Sequence, residues 1–286
     1  MTTPPTIGLI AGDGELPILA AQSARRQGYR VVAIGLSRRI ASGLAPHVDA
    51  VFHYGFGQPR KAWATLRAEG VRDLIFLGRF NKRAIFNPRG FDDIALRFLR
   101  SVVTKEDRTL MEGIVEAFEA EGFVVRNQTD FLEVCLASSG VLSTREPTAA
   151  EWDDVVFGFQ KARGIAALDI GETVVVKDQA IVAVEALEGT NACIERGCRE
   201  VAGAVVVKVT RRHRDFRLDV PAVGPSTVEL LVREGAAVLA LEAGRVYVLE
   251  QETIQAIASK GDLAIVGYEG PEVGAPPSAP PEAEER

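Results

Sequence analysis

The sequence is poor in cysteine and histidine, with three residues of each among its 286. The spacing of Cys135, Cys193 and Cys198 fits neither a zinc site nor a disulfide framework, so we expect buried free thiols in a reducing cytosol. The histidines are scattered, which argues against a zincin or another site of clustered histidines. The candidates for chemistry are therefore carboxylates, cations and glycine-rich turns.

Long apolar runs and an excess of positive charge are also missing. No apolar stretch reaches the ~18 residues that a membrane span needs, so no segment is expected to cross a bilayer. Residues 1–6 lack the charged and apolar regions of a signal peptide, and we therefore expect a cytoplasmic protein. The net charge of −6 argues against nucleic acid as a partner, because binding phosphates requires surplus Lys and Arg.

The chain length predicts two domains, since 286 residues exceed the usual size of one. We place an N-terminal domain at 1–137 and a linker of loop composition at 138–147. A C-terminal domain follows at 148–269. The tail, 270–286, is dominated by Pro, Ala, Gly and Glu, which predicts disorder.

Short apolar runs alternate with segments of helical periodicity in the first half of the chain. The runs 7–11, 31–36, 50–54 and 73–78 are typical of strands, and helices are predicted from Pro17 to Gly28 and from Arg60 to Glu69. This alternation predicts an α/β fold in which a Rossmann-like parallel sheet carries helices on both faces.

The second half has a different pattern, which predicts a mixed α/β (α+β) domain. Thr148 and Glu151 have the spacing of a capping box at the start of a helix. Two hairpins are predicted. Their predicted strands are 173–177 with 180–185, and 238–242 with 245–249. Further predicted helices are 190–201, 226–234 and 251–259, with strands at 204–209 and 263–266.

Glycines follow three predicted strands of the first half. Gly12 and Gly14 follow the first strand, Gly57 and Lys61 follow the third, and Gly78 ends the fourth. Ligands bind at this edge of open α/β sheets, so we predict a substrate-binding crevice there. An alternative explains the first pair equally well, namely a tight turn that needs glycine geometry.

The densest polar run of the chain, residues 208–224, begins at Lys208 and includes Asp215, Arg217 and Asp219. Diphosphate hydrolysis uses this mixture, since cations neutralise developing charge and a carboxylate holds a metal or orients water. The alternation of polar and apolar residues from 215 to 219 predicts a strand with its polar side chains on one face. The alternative, a solvated charged edge strand, is commoner for such runs.

Other candidates lie at predicted strand ends and at a helix start in the second half. Besides the carboxylate Glu185, they are Asp169, Gly171, Glu188, Gly189, Thr190 and Asn191. Acidic residues beside a helix start suit a metal and phosphate pair. Simple capping of the helix explains Thr190 almost equally well.

Six segments, taken in order, resemble the LpxI-type UDP-2,3-diacylglucosamine pyrophosphatases of lipid A biosynthesis. These segments are 8–17, 119–123, 168–171, 183–190, 215–224 and 242–245, and the resemblance spans residues 7–267. It implies a Rossmann-like N-terminal domain, a separate C-terminal catalytic domain and a homodimer. Gly122, inside the second segment, joins the predicted substrate-binding residues.

The resemblance also implies Mg²⁺-assisted attack of water on the α-phosphorus of UDP-2,3-diacylglucosamine, giving UMP and 2,3-diacylglucosamine 1-phosphate. The aspartate essential in that family falls on Asp219, which would bind Mg²⁺ or orient the water. Asp215 and Glu185 would support the metal, while Lys208 and Arg217 would offset phosphate charge. Substrate would lie between the domains with its acyl chains in an apolar groove. Contact with the cytoplasmic face of the inner membrane is then expected.

Three departures and two alternatives accompany this resemblance. The family often has aspartate where this chain has Asn191 and glutamine where it has Arg214, and the stretch from Arg79 also differs. One alternative is a non-catalytic nucleotide-binding module, which would retain UDP without releasing UMP. The other is a nicotinamide-dependent oxidoreductase, against which the missing G-x-G-x-x-G spacing counts.

Overall fold

The computed structural model describes residues 4–79, 90–101, 107–211, 214–218 and 220–270. Asp219 and almost the whole predicted tail, 271–286, lie outside the described residues. The chain forms two compact units, which we call unit 1 and unit 2. Unit 1 is Met1–Val134 with Asp215–Val220, and unit 2 is Cys135–Arg214 with Pro221–Arg286. The polar run 208–224 is therefore divided between the units.

Unit 1 is built on a five-stranded parallel sheet. Its strands are β1 (Thr6–Ala11), β2 (Arg30–Gly35), β3 (Ala50–His53), β4 (Asp73–Leu77) and β5 (Val124–Val125). Its helices are α1 (Leu16–Arg26), α2 (Arg38–Leu44), α3 (Pro59–Ala68), α4 (Asp93–Ser101), α5 (Asp107–Ala120) and α6 (Thr129–Leu132). The strand order is β3-β2-β1-β4-β5. The predicted Rossmann-like parallel sheet is thus confirmed.

The central strands of this sheet are buried along nearly their whole length, as expected where both faces are covered. Because all the strands are parallel, their C-terminal ends share one edge. The loops after β1, β3 and β4, which carry the predicted glycines, therefore start at that edge.

Unit 2 contains a mixed six-stranded sheet and a separate two-stranded one. Its strands are β6 (Gly140–Val141), β7 (Thr173–Lys177), β8 (Ala180–Val184), β9 (Val205–Lys208), β10 (Ala222–Val223), β11 (Val238–Glu242), β12 (Tyr247–Val248) and β13 (Ala264–Tyr268). Its helices are α7 (Ala149–Ala167), α8 (Thr190–Glu200), α9 (Pro225–Arg233) and α10 (Gln251–Lys260). The larger sheet has the order β6-β13-β11-β9-β7-β8. The predicted mixed α/β domain is confirmed.

One predicted hairpin is confirmed and the other is wrong. β7 and β8 pair antiparallel through a turn at Asp178 and Gln179, whose amide groups donate to the Asp154 carboxylate at 3.0 and 2.6 Å. β11 instead lies between β9 and β13 and pairs in parallel with both. Both edges of β11 are therefore occupied, and β12 pairs with β10.

The predicted capping box at the start of α7 is confirmed. The Thr148 hydroxyl accepts a hydrogen bond from Glu151 N at 3.3 Å, and the Glu151 carboxylate accepts one from Thr148 N at 2.8 Å. Replacing Thr148 with alanine should therefore lower the free energy of unfolding by about 1 kcal/mol. Urea denaturation measures the loss, and Thr148→Ser, which retains the acceptor, is the matched control. Equal stability of the alanine and serine variants would contradict the prediction.

Candidate functional site

A polar crevice lies at the C-terminal ends of β1, β2, β3 and β4 in unit 1. It encloses about 1090 Å³ including its open mouth, and its lining includes Gly12, Ser37, His53, Gly57 and Arg79. The structure thus places two of the predicted substrate-binding glycines at the expected sheet edge. Whether they bind substrate stays a prediction.

The backbone explains why glycine is needed at two of these positions. A Cβ on Gly12 would lie 2.5 Å from the carbonyl oxygen of Arg79, and one on Gly78 would lie 2.8 Å from that of Asp13. The loops after β1 and β4 also exchange backbone hydrogen bonds between Asp13 and Arg79. Close approach of two loops is therefore sufficient reason for this pair of glycines.

The remaining predicted residues of unit 1 have local surroundings of their own. A Cβ on Gly57 would lie 2.0 Å from the ring of Phe91, so the absence of a side chain admits that ring. Gly14 has a positive φ of 115° and open space around its Cα, Gly122 ends a helix with φ of 88°, and Lys61 is exposed on α3.

An apolar pocket adjoins the crevice and shares Leu36 and Phe56 with it. It encloses about 760 Å³ including its mouth, between the sheet and the helices α3, α4 and α5. None of the described residues that line it is charged. Trp63 and Phe76 pack edge-on against Phe118, with ring centroids 5.6 and 5.1 Å apart. The pocket has the lining that a hydrocarbon chain requires.

A buried polar cluster lies in unit 2, where β9 ends and α8 begins. Lys208 is only 6% exposed, and its Nζ donates to Thr190 Oγ1 at 2.9 Å and to Thr173 Oγ1 at 3.4 Å. The Thr190 hydroxyl in turn donates to Glu185 Oε1 at 2.8 Å. Three predicted site residues, Glu185, Thr190 and Lys208, are thus brought together.

Lys208 carries a cation that this cluster does not neutralise directly. In the described part of the chain its Nζ contacts hydroxyl groups, and no carboxylate forms an ion pair with it. Removing an ammonium group from water is unfavourable unless opposite charge compensates for it. The N-terminus of α8, which Thr190 opens, adds further positive potential. The Lys208 ammonium is therefore suited to binding an anion.

Two neighbouring loops complete the surroundings of the cluster. A Cβ on Gly171 would lie 2.0 Å from the Glu185 carbonyl oxygen, so glycine is needed for these loops to meet. Gly189 enters α8 with a positive φ of 83°. Asn191 Oδ1 accepts a hydrogen bond from the Thr227 hydroxyl at 3.3 Å.

Two predicted substrate-binding acids already have partners within unit 2. Glu188 accepts hydrogen bonds from Ala186 N at 3.1 Å and from Arg196 at 2.8 Å. Backbone hydrogen bonds and then Arg196 hold the pKa of Glu188 below its usual value. Asp169 forms an ion pair with Arg211 at 2.9 Å. Any ligand of these carboxylates would have to compete with an arginine.

The strand predicted at 215–219 is wrong for the described residues of this segment, 215–218 of unit 1. Residues 216–218 form a turn, and Leu218 N donates to the Asp215 carbonyl at 3.1 Å. The Asp215 carboxylate accepts from Arg217 N at 2.9 Å and from its guanidinium at 2.7 Å, because the turn folds the two residues together. Arg217 also donates to Glu119 at 2.7 Å. Asp215 and Glu119 together raise the pKa of Arg217, with Asp215 contributing more.

An ion network near the end of β11 was not anticipated from the sequence. Glu242 is 1% exposed, and its carboxylate accepts from Thr210 N at 2.8 Å and pairs with Arg163 at 2.8 Å and Arg245 at 3.2 Å. Burial raises the pKa of Glu242 in spite of these cations. The network holds the backbone directly after β9, since Arg245 also donates to the Arg211 carbonyl at 3.0 Å.

The described carboxylates do not by themselves form a magnesium site. No group of three or more His, Cys, Asp or Glu residues in the described ranges could hold a metal. Both oxygens of Asp215 accept from Arg217, and the two oxygens of Glu185 accept from Thr190 and from Glu172 N. The predicted metal site therefore depends on Asp219, which the structure does not describe.

The cysteines match their predicted state. Cys135, Cys193 and Cys198 are buried and free. Burial is the main cause that raises the pKa of Cys193 to about 12 and that of Cys198 to about 11, so these thiols are unreactive. Across the described residues, none of the helices combines the length and apolar composition needed to cross a membrane.

Comparisons with known proteins cover nearly the whole chain. Residues 6–135 match the family described as the LpxI N-terminal domain, and residues 138–266 match the LpxI C-terminal domain. The UDP-2,3-diacylglucosamine pyrophosphatase LpxI of Caulobacter vibrioides is 30% identical over 277 residues. That match covers 92% of this chain and 97% of the relative.

Similarity to solved structures is weak. The N5-carboxyaminoimidazole synthetase of Staphylococcus aureus is 17% identical, with a TM-score of 0.24, over 60% of this chain and 38% of that protein. AnUbiX in complex with FMN and dimethylallyl pyrophosphate is 14% identical, with a TM-score of 0.24, over 42% of this chain and 74% of that one. Similarities this weak do not bear on function.

Proposed function

The chain belongs to the LpxI family, and from that premise we propose that it hydrolyses UDP-2,3-diacylglucosamine to UMP and 2,3-diacylglucosamine 1-phosphate in lipid A biosynthesis. The observation that carries the proposal is the extent of the match. Both domains of the family occur in order, and 97% of the length of a relative named as this pyrophosphatase has a counterpart here.

The buried cluster in unit 2 supports the diphosphate part of this proposal. An ammonium that has no direct ion pair with a described carboxylate and lies at a helix N-terminus is a suitable binding group for a phosphate oxygen. Thr190 and Thr173 fix the position of Lys208 Nζ, so its charge does not have to reorganise when negative charge develops. We therefore assign Lys208 the role of binding the diphosphate and stabilising the charge that grows on it during hydrolysis.

The apolar pocket in unit 1 supports the lipid part. Its lining suits acyl chains, and it would be an unfavourable place for a charged diphosphate because the described lining residues offer no charged partner. We propose that it holds an acyl chain of the substrate, while the diphosphate and the sugar lie outside it. Burying each methylene group of a chain there contributes about 0.8 kcal/mol to binding.

We further propose that Asp219 orients the attacking water or binds Mg²⁺, as the family resemblance implies. In either role the carboxylate must be ionised. Arg217 has a different position from the one first expected, because Asp215 and Glu119 both hold its guanidinium. We propose that the Arg217 guanidinium binds a substrate phosphate only after it releases one of these two carboxylates.

Magnesium, a homodimer and contact with the membrane surface complete the proposal, and each rests on the family resemblance. Magnesium would supply a Lewis acid that neutralises charge on the phosphates. Removing divalent cations with EDTA should then stop the reaction, and adding Mg²⁺ should restore it. Sedimentation of the purified chain tests the dimer, and its retention on lipid vesicles tests the membrane contact.

One assay tests the proposed reaction directly. The purified chain is incubated with UDP-2,3-diacylglucosamine and Mg²⁺, and UMP is measured by chromatography. Release of UMP together with 2,3-diacylglucosamine 1-phosphate is the expected result. Retention of UDP without UMP release would instead identify a non-catalytic nucleotide-binding module and reject the enzyme.

Narrowing the apolar pocket should select against long acyl chains. Ala117 lines the pocket on α5, whereas Ala120 on the same helix is exposed and lies outside the lining. Ala117→Phe should raise KM for a long-chain substrate about tenfold, since excluding two methylene groups loses about 1.6 kcal/mol of binding. The kinetics of substrates of graded chain length measure the effect. Ala120→Phe is the matched control, and equal behaviour of the two variants would exclude the pocket as the acyl site.

A further inference from the structure

One residue that lines the apolar pocket of unit 1 carries a polar group that no other group in the described part of the chain satisfies. Trp63 on α3 lines the pocket and is 5% exposed. Its indole Nε1 is buried and finds no hydrogen-bond partner in the part of the chain that the structure describes. A buried indole N–H normally has an acceptor, because leaving a donor unpaired away from water is unfavourable.

The other polar side chains on the lining do have partners. The Tyr54 hydroxyl lies 2.8 Å from the Thr65 hydroxyl, and Gln58 Oε1 accepts from Gly55 N at 3.3 Å. Trp63 differs from both of them in having a buried donor that lacks a partner in the described part of the chain. A purely hydrocarbon ligand would leave that donor unpaired, whereas a chain that carries an oxygen would not.

We propose that Trp63 determines specificity by donating a hydrogen bond from Nε1–H to an oxygen atom carried by the acyl chain in this pocket. The inference rests on the proposed function, since it takes the acyl part of the substrate as the occupant. The group that Trp63 would recognise is an oxygen acceptor on an otherwise apolar chain. It has two sources, the carbonyl that links the chain to the sugar and a hydroxyl along the chain.

The surroundings of Trp63 explain why one oxygen has a large effect. None of the described lining residues is charged, so none competes with Trp63 for this oxygen, and the Phe118 ring packs edge-on against the indole with centroids 5.6 Å apart. A site built to hydrogen-bond one oxygen discriminates against an analogue without it, because the protein donor is then left unpaired in an apolar environment. Two residues of this pocket thus discriminate between substrates: Ala117 by the length of the acyl chain, and Trp63 by the oxygen that the chain carries.

Nuclear magnetic resonance of the intact chain tests the hydrogen bond directly. The sequence has two tryptophans, so two indole N–H signals are expected, and the spectrum of Trp152→Phe assigns the signal of Trp63. The probes are glucosamine carrying a plain acyl chain, a hydroxylated acyl chain, or an alkyl chain of equal length attached through carbon, which has no oxygen in the chain or its linkage. A downfield shift of the Trp63 signal is expected with a probe that supplies the acceptor.

The three probes separate the two sources of oxygen. A shift with both acyl probes but not with the carbon-linked alkyl chain identifies the carbonyl, and a shift with the hydroxylated chain alone identifies the hydroxyl. An unmoved signal, or equal shifts with all three probes, would overturn the inference. Measuring UMP release on the same preparation separates the hypotheses, because hydrolysis with an unmoved signal rejects the role of Trp63 alone. A moved signal without hydrolysis rejects the proposed function instead.

Kinetics of Trp63→Phe provide the second test. Phenylalanine keeps an aromatic ring against Phe118 and removes the donor. We expect kcat/KM to fall about tenfold for a substrate whose chain carries the acceptor and to stay unchanged for one without it. Trp152→Phe in unit 2 is the matched control. A loss of equal size for both substrates would show that Trp63 only shapes the pocket and would refute its role as donor.

Discussion

Replacing Asp219 with alanine is expected to abolish detectable UMP release, with kcat/KM falling about 10²–10⁴-fold or more. The physical reason is that an ionised carboxylate is needed either to take the proton of the attacking water or to hold the metal that activates it. Alanine provides neither function. Asparagine retains the size and hydrogen-bonding capacity of the side chain without its charge, so Asp219→Asn should be similarly inactive.

The control for this prediction is an aspartate without a proposed role. Asp153 is exposed on α7, and Asp153→Ala should leave UMP release unchanged. Thermal denaturation should show the fold of Asp219→Ala to be intact, and UDP binding should persist. Hydrolysis by Asp219→Ala at the parental rate would reject the assignment of this residue, although the family membership would stand.

The sequence was most informative where local pattern and tertiary pairing agree. Alternating strands and helices predicted the parallel sheet of unit 1, and the two-residue connection at Asp178 and Gln179 predicted the β7–β8 hairpin. Local signals around Ala243 and Gly244 also favoured a hairpin, but β11 is buried between two parallel neighbours. Whether a strand is interior depends on distant segments, which a short sequence window does not contain.

The predicted glycines show a similar limit. A glycine after a strand indicates that the backbone needs its geometry or its lack of a side chain, but not which group comes close. For Gly12, Gly78 and Gly171 the structure supplies that group, which is the backbone of a neighbouring loop. These residues shape the strand ends whether or not they also contact substrate.

The residues that the sequence did not reveal lie in segments where functional residues and core residues have the same pattern. Thr173 occupies the first position of an apolar strand, and Trp63 belongs to the buried face of an amphipathic helix. Only pairing shows that Thr173 lies opposite Lys208, and only a pocket with an unsatisfied donor gives Trp63 a further role. Lys208 was easier to find, because a cation at the end of an apolar strand breaks the pattern.

Replacing Lys208 with methionine should lower kcat/KM for UMP release about 10²–10³-fold, since removing one preorganised donor to developing charge has an effect of that size. Methionine is flexible and apolar and can fill the space of the lysine stem. The loss should appear mainly in kcat, because the interaction strengthens as negative charge grows in the transition state. Steady-state kinetics of UMP release measure both constants.

Stability separates a functional role of Lys208 from a structural one. The ammonium is buried and held only by the hydroxyls of Thr190 and Thr173 within the described residues, so folding has to overcome its desolvation. Lys208→Met should therefore leave the free energy of unfolding unchanged or raise it while activity falls. Lys177→Met, at the end of β7 and outside the cluster, is the matched control and should retain activity. If Lys208→Met lost stability and activity together, the lysine would be a structural element of the sheet end rather than the phosphate-binding group.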